Sequence, residues 1–175
     1  MRLHSMMPVA PAAAALLALA GCATPAGPAA TAVLQATTGN QAGGSVQFVQ
    51  RGALVRVTGE VRGLKPDAEH GFHIHEKGDC SSGDGMSAGG HFNPDGKAHG
   101  RHGQGAHHAG DLPSLKADAH GVAKVDFESS VIRIREGGTA IVGRGLIVHR
   151  DPDDYTTQPT GNAGPRLACA VITNA

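Results

Sequence analysis

Runs in which apolar and polar residues alternate with a period of two recur along this chain, and no stretch repeats its apolar positions every three or four residues. The runs SVQFVQ, ALVRVTGEV, GFHIHE, GVAKVDFES, TAIVGRGLIVHR and RLACAVI combine that alternation with β-branched residues, and each predicts a strand. In the second run Val55, Val57 and Val61 share one face while Leu54, Arg56 and Glu60 share the other, as a sheet with one covered face requires. Between Glu76 and Asp118 the chain is dominated by Gly, His, Asp and Ser, far longer than a normal connection. A second irregular stretch runs from Asp151 to Pro165. Short strands and two long loops predict an all-β fold, a Greek-key sandwich or flattened barrel that carries its chemistry on loops.

The first thirty residues follow a different pattern. Arg2 precedes an apolar run from Pro8 to Ala20 that is too short to span a membrane and stay there, so residues 1–21 read as an export signal. Its end, Leu19-Ala20-Gly21-Cys22, is similar to the lipobox of bacterial lipoproteins, which would make Cys22 a lipidated first residue; the alternative is an ordinary signal peptide. Residues 22–31 have the Pro, Ala and Gly content of a flexible tether, and the folded domain is expected over 32–175. The protein is thus expected in the periplasm or cell envelope, touching membrane only through a lipid on Cys22.

Composition narrows the classes further. The 175 residues carry fifteen Lys plus Arg against fifteen Asp plus Glu, which leaves no basic footprint for nucleic acid. With Cys22 assigned to lipid, two of the three cysteines remain, Cys80 and Cys169. They can pair, or stay as buried thiols. In an oxidising compartment a bridge closing about ninety residues would contribute about 4 kcal/mol in the chain-entropy account.

Histidine changes the picture most. Of eleven, six lie between His73 and His107, with His108 and His149 close behind in interest. On a strand, His73 and His75 point to one face while Phe72 and Ile74 face the core. That pair alone would equally suit two surface histidines. His91, His99, His108 and Asp111 from the Gly-rich loop strengthen the case for metal, because imidazole suits zinc and copper, and one carboxylate among imidazoles suits zinc.

GFHIHEKGDC, GGHFNP, HHAGDLP, GRGLIVHRDPDD and GNAGPRLACAVI together resemble the copper/zinc superoxide dismutase family, in order, over nearly all of 32–172. The exported lipoprotein start resembles the family's bacterial members. The resemblance implies a flattened eight-stranded Greek-key barrel and an enzyme that converts superoxide to oxygen and hydrogen peroxide. It implies one copper held by His73, His75, His91 and His149, and one zinc held by His91, His99, His108 and Asp111, with His91 bridging as an imidazolate. It further implies that Asp153 bonds His73 and His99 from outside, that Cys80 and Cys169 form the family's disulfide, and that Arg166 stands at the mouth of the copper channel. Both monomers and homodimers occur among the bacterial members.

This chain also departs from the family. His102 and His107 are extra, and HGRHGQGAHHAGD could slip so that either replaces its neighbour; the family's three-residue step from His108 to Asp111, and a spacing before His108 that the family also uses, favour His99 and His108. His70 and His120 have no assigned role. A noncatalytic dismutase-like domain and a metal-buffering lipoprotein are the competing readings. The second explains His102 and His107 but leaves Asp153 and the cysteine pair as coincidences.

Overall fold

The computed structural model describes Met1 and residues 27–175; the export segment and Cys22 lie outside the described residues. The strands are β1 (Ala29–Ala36), β2 (Gly43–Arg51), β3 (Leu54–Arg62), β4 (Glu69–His70), β5 (Phe72–His75), β6 (Leu115–Lys116), β7 (Ala123–Ser129), β8 (Gly145–His149), β9 (Arg166–Val171) and β10 (Thr173–Asn174). Among the described residues there is no α-helix, only a 3-10 turn at Met86–Ala88.

Eight strands curl into an antiparallel half-barrel in the order β5-β8-β9-β1-β2-β3-β7, with β10 also on β1, while β4 and β6 form a separate pair. Three times, from β3 to β5, back to β7, and on to β8, the chain crosses between the two ends of this sheet, as Greek-key connections do. β1 links the halves: Ala29 to Leu34 pair with β2, and Gln35 and Ala36 pair with β9.

The predicted alternation is plain in β3, where Val55, Val57 and Val61 are wholly buried, and in β7, where Lys124, Asp126 and Glu128 point outward. Arg56 pairs with Asp126 across that outer surface. The half made of β5, β8 and β9 is built differently, because both of its faces are covered. Phe72, Ile74, Leu146 and Val148 join the main core, while Ile147, Cys169 and Ala88 form a second small apolar cluster outside it. All residues of β5 and β8 are therefore buried. The long loops cover this half, which is where the histidines lie.

Two boundaries differ from the sequence reading. β1 begins at Ala29, so the last residues assigned to the tether are already in the sheet, pairing with both β2 and β10. Alanine carries little strand preference of its own, and the burial of Ala30, Ala32 and Leu34 is what fixes the strand. TAIVGRGLIVHR is not one strand either. A turn with Gly143 at φ 86° interrupts it, and only Gly145–His149 belongs to β8.

Candidate metal centre

The structure brings seven predicted ligands into two groups that share one residue. His73, His75, His91 and His149 form one; His91, His99, His108 and Asp111 form the other; within each group the candidate ligand atoms lie within 4.8 Å of one another, and every residue is buried. His73 and His75 stand on the outer face of β5, and β8 places His149 beside them. His91 and Asp111 come from the loop, tied to β5 through bridges to His75 and His73. Two further main-chain bonds fasten this seam, Ile74 N–H to the Gly110 carbonyl at 2.9 Å and Phe92 N–H to the Ile74 carbonyl at 2.8 Å.

In the first group each ring has one nitrogen accounted for and one turned inward. His73 Nε2 meets Asp153 Oδ2 at 2.7 Å, His75 Nδ1 donates to the Gly89 carbonyl at 2.9 Å, and His149 Nδ1 donates to the Gly164 carbonyl at 3.0 Å. Such outer bonds fix the tautomer and the ring plane. His75 Nε2 and His149 Nε2 then approach to 3.4 Å. Two nitrogens bound tetrahedrally at about 2.0–2.1 Å to one ion would be separated by about 3.3–3.4 Å. His73 Nδ1 and His91 Nε2 are buried without a hydrogen-bond partner among the described residues. Burying such polar atoms is costly unless something else satisfies them, so this donor set fits a metal ion that prefers imidazole.

The second group centres on Asp111. Its Oδ1 lies 2.9 Å from His91 Nδ1, 3.0 Å from His99 Nδ1 and 3.2 Å from His108 Nδ1. Its Oδ2 accepts the N–H groups of His108 and Gly100 at 2.8 and 3.1 Å. Three imidazole nitrogens and one carboxylate oxygen are a zinc donor set. Asp153 joins the groups from outside: Oδ2 faces His73, while Oδ1 bonds His99 Nε2 at 2.9 Å and accepts Tyr155 N–H at 2.7 Å. Gly161, at φ 65°, packs so closely over Asp153 and His99 that a Cβ would collide with both side chains.

Electrostatics separates the groups. Burial first, then neighbouring histidines, hold His75 and His149 well below the ordinary imidazole range. Burial likewise lowers His73 against the pull of Asp153, and lowers His91 to about 4. These rings are neutral at pH 7 and present lone pairs. Burial would lower His99 too, but Asp111 and Asp153 outweigh it and raise His99 to about 9. Burial alone would push both carboxylates up; bonds from the histidines instead hold Asp111 and Asp153 below their usual range.

Arg166 reaches the same face through an irregularity. Along β8 and β9, Val148 pairs with Ala168 but His149 pairs with Arg166, so a bulge skips Leu167. Bulges re-aim side chains in this way. The guanidinium donates to the Gly85 carbonyl at 2.5 Å and to the Gly89 carbonyl at 2.6 Å, so Gly89 receives both Arg166 and His75. Burial draws Arg166 down from its ordinary value and Asp84 opposes this; a guanidinium keeps its charge at neutral pH.

The disulfide Cys80–Cys169 joins the loop to β9. His102 and His107 fall outside both groups, so the alternative ligand register is not the one adopted. Buried His70 bonds the His149 carbonyl at 2.9 Å, and His120 is exposed. The carbonyls of Gly89 and Gly164 were not visible from residue types, since they are main-chain groups.

Comparison with known proteins agrees with this geometry. Residues 42–172 match the sequence profile of copper/zinc superoxide dismutase. The chain is 44% identical over 135 residues to a Cu-Zn superoxide dismutase of Paramecium bursaria Chlorella virus 1, covering 74% of this chain and 71% of that protein. It is 43% identical over 151 residues to the Cu-Zn superoxide dismutase of Saccharomyces cerevisiae, covering 82% and 96%. Among solved structures, that of the clock protein EA4 superposes with a TM-score of 0.76 at 39% identity over 84% of this chain and 94% of its own. Donor sets suited to copper and to zinc thus sit on a fold, and in a sequence, shared with enzymes of known class: this chain belongs to the copper/zinc superoxide dismutase family, oxidoreductases that bind both metals.

Proposed function

We propose that His73, His75, His91 and His149 hold copper and that His91, His99, His108 and Asp111 hold zinc, in an enzyme that dismutates superoxide. The observation that carries the assignment is the two-sided placement of His91, whose Nδ1 faces Asp111 while Nε2 has no hydrogen-bond partner among the described residues. Bound copper would supply the one-electron redox change that zinc lacks, by which one superoxide ion gives up an electron and leaves as oxygen and a second gains an electron and, with two protons, leaves as hydrogen peroxide.

The chain's own groups do the rest. Arg166, beside His149 and only partly buried, attracts the small anion and orients it; enzymes of this class are the standard illustration of such steering. His91 Nε2 is the atom at which a proton can be held next to the reacting anion, while Nδ1 stays fixed on the zinc side. Asp153 keeps His73 and His99 in the tautomers that direct Nδ1 of each ring to its ion.

The proposal extends to location. Residues 1–21 act as an export signal, Cys22 carries the lipid, and the protein belongs to the exported bacterial lipoprotein type, anchored in the cell envelope with its enzyme domain in the periplasm. The Cys80–Cys169 disulfide supports an oxidising compartment. One experiment covers both parts: superoxide consumption is assayed in membrane and soluble fractions of cells making the wild-type or Cys22→Ser chain, with and without chelator. Metal-dependent activity in membranes, shifted to the soluble fraction by the substitution, is expected. Tight copper binding with no superoxide consumption would move the assignment to metal buffering.

A further inference from the structure

The zinc-side loop has no strand of its own near His99 or His108, and at Asp111 only an isolated bridge to His73 ties it to β5, so most of the hold on this main chain must come from elsewhere. Besides Asp111 itself, three side chains from outside the ligand set reach it. The Gln158 amide pairs with His99 on both sides: Oε1 accepts the His99 N–H at 2.8 Å and Nε2 donates to the His99 carbonyl at 3.0 Å. A neighbouring strand would make the same two bonds, and neither His99 group has a main-chain partner among the described residues. His107 Nδ1 donates to the His108 carbonyl at 2.7 Å, while His107 Nε2 accepts Gly103 N–H at 3.2 Å. Both ring nitrogens are then committed, which fixes a neutral tautomer and leaves no lone pair for an ion. His102 Nδ1 donates to the Asp111 carbonyl at 2.8 Å, and its ring meets Phe127 of β7 edge-on at 5.8 Å and the His107 ring at 5.3 Å.

We infer that Gln158, His107 and His102 are positioning residues, each clamping the main chain of one zinc-side ligand that copper does not share. Resting on the zinc assignment above, this gives the two extra histidines a role distinct from sequestering metal. It also explains their contact with the loop backbone instead of with either donor group. Outer partners that orient ligands shape metal affinity as the ligands themselves do, and a loop lacking its own ladder depends on them more than a strand does.

The full chain is depleted of metal, reloaded, and titrated with a competing zinc chelator. Gln158→Ala, His102→Ala and His107→Ala are each expected to weaken zinc binding by roughly 10-fold. His102→Asn, which offers an N–H near the position of Nδ1, should restore most of the loss. The copper electron-resonance signature and the melting temperature of the metal-free protein should stay as in wild type. Unchanged zinc affinity in all three alanine variants overturns the inference, as does equal weakening by His102→Ala and His102→Asn. A loss of melting temperature as large without zinc as with it would show a general packing role instead. His99→Ala is run alongside: zinc retained there sinks the ligand assignment itself, whereas zinc lost there and kept in the three clamp variants sinks the clamp alone.

Discussion

His73, His75 and His149 stand on strands, whereas His99, His108 and Asp111 stand on a loop, and the two sets are held by different means. A strand ligand is placed by register: β5 pairs with β8 from Phe72 opposite Val148 to His75 opposite Gly145, and this ladder puts both outward histidines against β8 without further help. Only the second nitrogen of each ring then needs a partner. A loop ligand must have its backbone held as well, and Gln158, His102 and His107 supply that, while Asp153 holds the His99 ring. Order in the redox half thus comes from the barrel, and order in the zinc half from hydrogen bonds that any single substitution can remove.

The comparison makes unequal forecasts for one shared residue. Asp153 bonds a strand ligand and a loop ligand equally well, so Asp153→Ala tests which set depends on it. Zinc affinity is expected to fall about 10–100-fold, the range for lost outer partners, and copper affinity distinctly less, both read by chelator competition. Equal losses for the two metals would break the distinction. A smaller effect concerns protons. At pH 7 His99, raised to about 9, carries a proton on Nδ1 that zinc must displace, while neutral His91, lowered to about 4, has a single N–H to lose when bridging. Calorimetry of metal-free protein in buffers of different ionisation enthalpy should therefore find close to one proton released from His99 on zinc binding. A second should follow from His91 when copper is added. The first vanishes as pH rises through about 9, so zinc affinity should climb with pH up to that point and level off. No proton release at neutral pH would remove the electrostatic difference between the halves.

The strand-borne set was the more legible in sequence for the same reason. Period-two geometry turns the spacing of His73 and His75 directly into a shared face, whereas cysteine number only allowed Cys80 to pair with Cys169 and the family resemblance implied that they do. The assignment of His99 over His102 needed the family's spacing, because a loop has no periodicity to read. Features made of main chain stayed invisible. Nothing in HRDPDD announces the bulge that sets Arg166 opposite His149, and Gln158 resembles any surface glutamine until its amide is seen against the His99 peptide groups. β1 was missed because alanines take strand form through what they pack against, not through any preference of their own.

One carbonyl oxygen, that of Gly89, accepts both the Arg166 guanidinium and the His75 ring. The guanidinium proposed to draw the anion in and a ring proposed to hold copper are therefore anchored to the same atom. Any change in that turn displaces them together, so capture rate and metal grip cannot be tuned separately there, in evolution or in engineering.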